Sequence, residues 1–153
     1  MSVRSGNEFA RPFVPAKDFE LSKRFYEAIG FKKLLDGDVA IFGIGTSGFI
    51  LQNRFEKAWA GNFMMQLMVD DLDSWWRHID QLDLPTRFLV PEPTAPALQP
   101  WGLRVAFFVD PSGVLWHVAQ RRSSNSSDRG AGRHHGRRRA AELWLELLDA
   151  PRP

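Results

Sequence analysis

The chain contains no cysteine, which removes disulfides, thiolate metal sites and cysteine nucleophiles together. Nor does it hold any stretch near the roughly 18 consecutive apolar residues that a membrane span needs. Its first residues, MSVRSGNEFARPF, lack the apolar run of a signal peptide. The expectation is a cytoplasmic protein with no membrane partner. A basic surface is also missing from most of the chain, despite a pI near 9.3. Residues 121–153 hold eight Arg against four acidic residues, a net of +4, whereas 1–120 hold 12 basic against 14 acidic, a net of −2. The basicity belongs to the tail, so charge gives no support to nucleic-acid binding by the body of the protein.

What remains is ordinary for a globular protein: 153 residues, 44% hydrophobic and 25% charged, enough for one compact domain or two small halves with a core. The halves are visible as an internal repeat. AKDFELSKRFYEAIGF (16–31) aligns without a gap on VDDLDSWWRHIDQLDL (69–84). Each opens at a helix-capping aspartate, Asp18 or Asp71, and continues with apolar residues at helical spacing. Gly30 suits the end of the first helix. A second pair, VAIFGIGTSGFILQ (39–52) and RVAFFVDPSGVLWH (104–117), reads as strand, tight Ser-Gly turn, strand.

The spacing predicts strand 8–15, helix 18–29 and strands 31–36, 38–44 and 48–53. The second module repeats this with strand 62–69, helix 71–83 and strands 86–90, 103–109 and 113–120. VPEPTAPALQPWG (90–102) is expected as a loop inserted before the second hairpin. Two βαβββ modules, about 8–53 and 62–120, make an α+β domain spanning 1–120, a curled mixed sheet or half-barrel with helices outside and a cavity inside. The Ser-, Gly- and Arg-rich 121–136 is expected to be a disordered linker, and 140–150 a short helix. The tail is either a solvated appendage or a contact for nucleic acid or another acidic partner.

Strand alternation assigns faces. Phe63, Met65, Leu67 and Val69 belong under the helices, which turns Met64, Gln66 and Met68 toward the cavity. Val114, Trp116 and Val118 likewise leave Leu115, His117 and Ala119 inward, and Gln52 points opposite to Phe49 and Leu51. Gln52, Gln66 and His117 are then polar groups among apolar walls, the composition that orients a small ligand. Gln66 and His117 bonded to each other as an interior pair is the other open reading. Met64 and Met68 suit either an adaptable ligand surface or core filling. Trp75, Trp76 and Trp116 follow from core spacing. Trp101 lies in a Pro/Gly-rich loop that no periodicity buries, which favours a binding role. Trp59, in the connection between modules, fits core or site equally.

The run Asp18, Ser22, Phe25, Tyr26, Gly30, Phe31 and the stretch Asp110-Pro111-Ser112-Gly113-Val114-Leu115-Trp116 resemble the vicinal oxygen chelate superfamily of glyoxalases, dioxygenases and bleomycin-resistance proteins. Enzymes of that superfamily bind a divalent metal at positions that fall here on Arg11, Gln52, Met64 and His117. Arginine cannot donate a lone pair and thioether is a poor ligand for a hard ion, so the resemblance is to a metal-free member without a cofactor or catalytic residue. The other histidines fall on the second helix (His78) or in the tail (His134, His135). Gln99-Pro100-Trp101-Gly102, Arg104, Phe107, Asp110–Gly113 and His117-Val118 are similar to the bleomycin-binding resistance proteins, as are Val14-Pro15 and Asp18. That resemblance implies a homodimer that sequesters its small-molecule ligand in clefts at the subunit interface, with Trp101 as one wall and Arg104 as a ligand-binding residue. Gln66 and Met68 stand where those proteins carry cleft tryptophans. A lyase, isomerase or dioxygenase is the alternative, and would require a bound divalent ion.

Overall fold

The computed structural model describes residues 9–122; the expected helix at 140–150 lies outside them. The order of elements is β1 (Phe13–Pro15), α1 (Phe19–Ile29), β2 (Lys32–Asp36), β3 (Val39–Ile44), β4 (Ser47–Gln52), α2 (Lys57–Asn62), β5 (Met64–Val69), α3 (Leu72–Asp80), α4 (Leu84–Phe88), β6 (Thr94–Leu98), β7 (Arg104–Val109) and β8 (Leu115–Gln120). They form two four-stranded sheets, β1-β4-β3-β2 and β5-β8-β7-β6. In each, the first strand pairs parallel with the last and the other pairs are antiparallel. The modules are therefore copies of one topology, in an α+β fold. No described helix is long and apolar enough to cross a membrane.

Both main helices start where the sequence places them. Asp18 accepts from Leu21 N at 2.9 Å and Asp71 from Ser74 N at 2.9 Å, each satisfying an amide the first turn leaves orphaned. Gly30, at φ 120°, ends α1, a conformation glycine adopts without a Cβ clash. His78 Nε2 donates to Ala28 O at 3.0 Å, tying α3 to the carbonyl end of α1.

One core serves both modules. Tyr26 on α1 meets Phe42 and Phe49 of the first sheet and Trp116 of the second, and Phe25 meets Phe108. Trp75 of α3 stacks on Phe108 at 5.8 Å. Within this core a polar chain crosses from one module to the other. Trp116 Nε1 donates to Tyr26 Oη at 3.1 Å, and Tyr26 Oη donates to Asp110 at 2.6 Å. Asp110 also accepts from Ser112 N and Val114 N at 2.8 and 2.9 Å, so one buried carboxylate closes the β7–β8 turn and fastens α1.

The β3–β4 hairpin has its own requirement. A Cβ on Gly48 would stand 2.2 Å from Phe42 O. Gly48→Ala is expected to force the hairpin open and lower stability by about 1–3 kcal/mol, measured by denaturant unfolding.

Three expectations about elements are corrected. Strand 8–15 is regular only over Phe13–Pro15. Residues 86–90 form no strand: α4 occupies Leu84–Phe88, entered and left through Asp83 and Leu89 in left-handed backbone, φ 49° and 56°. The missing strand is β6, within the Pro-rich segment expected to be a loop. Helix α2 in the connection had no counterpart in the reading of the sequence.

Candidate functional site

Each sheet gives one face to the core and keeps the other clear of the helices. On the second sheet, registry places Gln66 beside His117 and His117 beside Phe107. Met64 with Leu115, and Met68 with Ala119, flank that row on the same face. His117 is 5% exposed, and its ring meets Phe107 edge-on at 4.7 Å. Burial holds the imidazole below its ordinary pKa, so it is neutral at physiological pH. Gln66 is exposed, while Met64 and Met68 are half-buried. The clear face of the first sheet is more apolar: Phe13, Ile50, Ile41 and Leu35 lie in one registered row. Phe13 and Leu35 remain 50% and 47% exposed, so this row is an uncovered apolar surface. Gln52 stands at the end of this face, paired in register with Pro15 and Val39.

The structure therefore brings together Gln66, His117, Met64 and Met68, and sets Gln52 on the other sheet. Trp101 is half-buried in the β6–β7 turn. Gln99 N donates to Leu103 O and Gly102 N to Gln99 O, both at 2.8 Å, and Gly102 takes φ 89°. Arg122 donates to Gly102 O at 3.3 Å, so the turn lies at the Met68 end of the second sheet. Trp59 stands apart on α2, its ring edge-on to Phe63 at 6.4 Å. Arg104 forms a bidentate pair with Asp73 of α3, at 2.8 and 3.2 Å. The pair holds Asp73 below the usual carboxylate range. Arg104 is thus a brace between β7 and α3, and Arg104→Ala is expected to leave ligand affinity unchanged in a calorimetric titration.

At the positions corresponding to metal ligands, Arg11 places its guanidinium over the Phe9 ring, 4.4 Å from the centroid. Gln52 and Met64 lie at strand ends and His117 inside β8. Among the described residues no three His, Asp or Glu cluster as a metal site would require. Phe107, named above only for the family resemblance, and the Phe13 row were not assigned to the site from the sequence; alternation within β7, applied as it was to β5 and β8, would have placed Phe107 there.

The chain also forms a half-open pocket of about 230 Å³ that meets the Gln66–His117 row only at Gln66. It is lined by Met65, Leu67 and Trp116, from the opposite parity of β5 and β8, together with Phe31 and Phe49; Gln66 alone is shared with the clear face.

Comparison with known proteins matches residues 8–118 to the Glyoxalase/Bleomycin resistance protein/Dioxygenase superfamily. A bleomycin resistance protein of Klebsiella pneumoniae is 31% identical over 116 residues, covering 72% of this chain and 90% of that protein. A bleomycin-binding protein solved in complex with bleomycin is 29% identical, with a TM-score of 0.65 over 75% of this chain and 99% of that one. The bleomycin resistance determinant encoded on transposon Tn5 is 28% identical, with a TM-score of 0.61 over 76% and 99% of the two chains.

Proposed function

Because the chain belongs to the glyoxalase/bleomycin resistance protein/dioxygenase superfamily, we propose that it binds and sequesters a bleomycin-like or other aromatic small molecule. The observation that carries this reading is the clear face of the second sheet, where Gln66 and His117 sit among Met64, Met68, Leu115 and Phe107. Apolar walls contribute affinity through area removed from water, and a few polar groups fix orientation. Thioether side chains adapt to irregular ring systems. Sequestration breaks no bond and asks for no general base.

One chain leaves these faces open. A second copy, laying the Phe13–Leu35 face of its first sheet toward the Gln66–His117 face of its partner, removes both apolar surfaces from water and makes a cleft between them. The reading is therefore a homodimer with the ligand at the interface, Trp101 as a wall and Gln52 delivered from the opposite sheet.

The test is calorimetric titration with metal-free bleomycin, with metal content measured on the same sample. Saturable, metal-independent binding at one or two ligands per dimer is expected. Absence of heat at several temperatures would remove bleomycin as the ligand. Residues 1–120 are the binding unit in this reading, with 121–153 an appendage. A chain ending at Arg122 is expected to bind the drug with unchanged affinity, checked in the same titration.

A further inference from the structure

We propose that the cavity between the two modules is a second ligand site, taking a neutral fused bicyclic aromatic compound that bears one hydrogen-bonding group. A half-open space of about 230 Å³ lies at the junction of the two modules, and its lining is mostly apolar and aromatic. Dry apolar cavities near 150 Å³ hold benzene, so this one has room for a second fused ring.

Its walls define the chemistry. Phe31, Phe49 and Trp116 line it and meet one another edge-to-face, at centroid distances of 5.4, 5.2 and 5.7 Å. The Trp116 N–H is directed to Tyr26, and the Ser47 hydroxyl, also at the cavity, donates to Ile44 O at 3.2 Å. The aromatic walls therefore present carbon, and a charged ligand would be desolvated there without compensation. Polar capacity lies along one side. Residues 65–67 belong to β5, the edge strand of its sheet. A parallel edge strand turns alternate backbone N–H and C=O groups away from its neighbour. Across the gap runs the lead-in to β1, with Ala10 and Pro12 at the lining; Pro12 has no N–H to give. Among the described residues no backbone hydrogen bond joins that lead-in to β5. The result is a slot with an aromatic floor and a hydrogen-bonding rim on one side, matched to a flat ring with a single hydroxyl or N–H at its edge.

This site meets the proposed drug cleft only at Gln66 and stands whether or not that cleft binds bleomycin. The probe is 2-naphthol, titrated into the full chain by calorimetry and followed by the NMR shifts of the methionine methyls. Expected are one saturable site per chain, shifts at Met65, and little change at Met68. Met65→Trp fills the slot from a half-buried position and is expected to weaken binding by roughly tenfold or more. Trp101→Ala is expected to leave it unchanged. Leu67→Phe carries the same expectation should Met65→Trp not fold, as judged by its thermal unfolding. No saturable binding, or binding that survives in a folded slot-filling variant, overturns the proposal. So does a loss caused by Trp101→Ala, which would assign the probe to the drug cleft.

Discussion

Asp110→Ala is expected to lower the unfolding free energy by about 3–5 kcal/mol, a large part of the 5–15 kcal/mol typical of a domain. Asp110 is 2% exposed and accepts from Tyr26 Oη, Ser112 N and Val114 N. Truncation strands three donors in a dry interior, and each buried donor without a partner costs about 1–3 kcal/mol. It also unfastens α1 from the β7–β8 turn, because Tyr26 then has no acceptor for its proton while still receiving the Trp116 N–H. Denaturant unfolding checks the number; a loss under about 1 kcal/mol would show that the chain is incidental to the fold.

The same carboxyl sets a pH dependence with a definite sign. Burial pushes its pKa up to about 6, against hydrogen bonds from Tyr26, Val114, Ser112 and Gly113 that pull it down. A carboxyl whose folded pKa exceeds its unfolded value, near 3.8, stabilises the fold most below the unfolded value. That contribution is lost as pH rises through the folded value. The gap between the two values corresponds to about 1.4 kcal/mol per pH unit. The wild type should therefore lose about 3 kcal/mol relative to Asp110→Asn between about pH 3 and 7. The difference should be flat above that window. Asp36, Asp71 and Asp73 lie below the usual range and change stability in the opposite direction, which is why the comparison is made against the asparagine variant.

None of that chain was legible in the sequence. Tyr26 falls within the first helix and Asp110 beside the Ser-Gly turn of the second hairpin, 84 positions apart, and no local signal links them. Local signals fared better. Asp18, Asp71 and Gly30 set helix ends through their own backbone neighbours, and alternation along β5 and β8 placed Gln66 and His117 on one face. The failures lie where two local signals conflict. Phe88 and Val90 are both buried and imitate strand alternation, but Pro85 opens a helical turn at Leu84–Phe88. Prolines at 93 and 96 argued against a strand, yet β6 is an edge with an irregular register between Thr94 and Ala97, the setting that tolerates proline. The uncovered Phe13 row could not be read at all without knowing that β1 lies against β4.

Trp101→Ala is expected to weaken binding of a bleomycin-like ligand by roughly 30-fold, about 2 kcal/mol, the size of a hot-spot truncation. The turn that carries Trp101 is held by backbone hydrogen bonds, Gln99 N to Leu103 O and Gly102 N to Gln99 O. The substitution should therefore leave thermal unfolding nearly unchanged while binding falls, and that split separates a cleft wall from a core residue. Phe107→Ala is expected to weaken binding as well, because it removes the ring on which His117 rests. Affinity in the wild type should be level across neutral and alkaline pH. It should fall only on the acid side, since burial keeps His117 uncharged until below its ordinary range. Stability follows the same sign: the neutral imidazole's contribution is complete above the unfolded value, about 6.5, and is lost as pH drops through the lower folded one. Calorimetry on Trp101→Ala with the same ligand decides the point: unchanged affinity would move the drug away from the β6–β7 turn, and loss of affinity with an intact fold would fix it there.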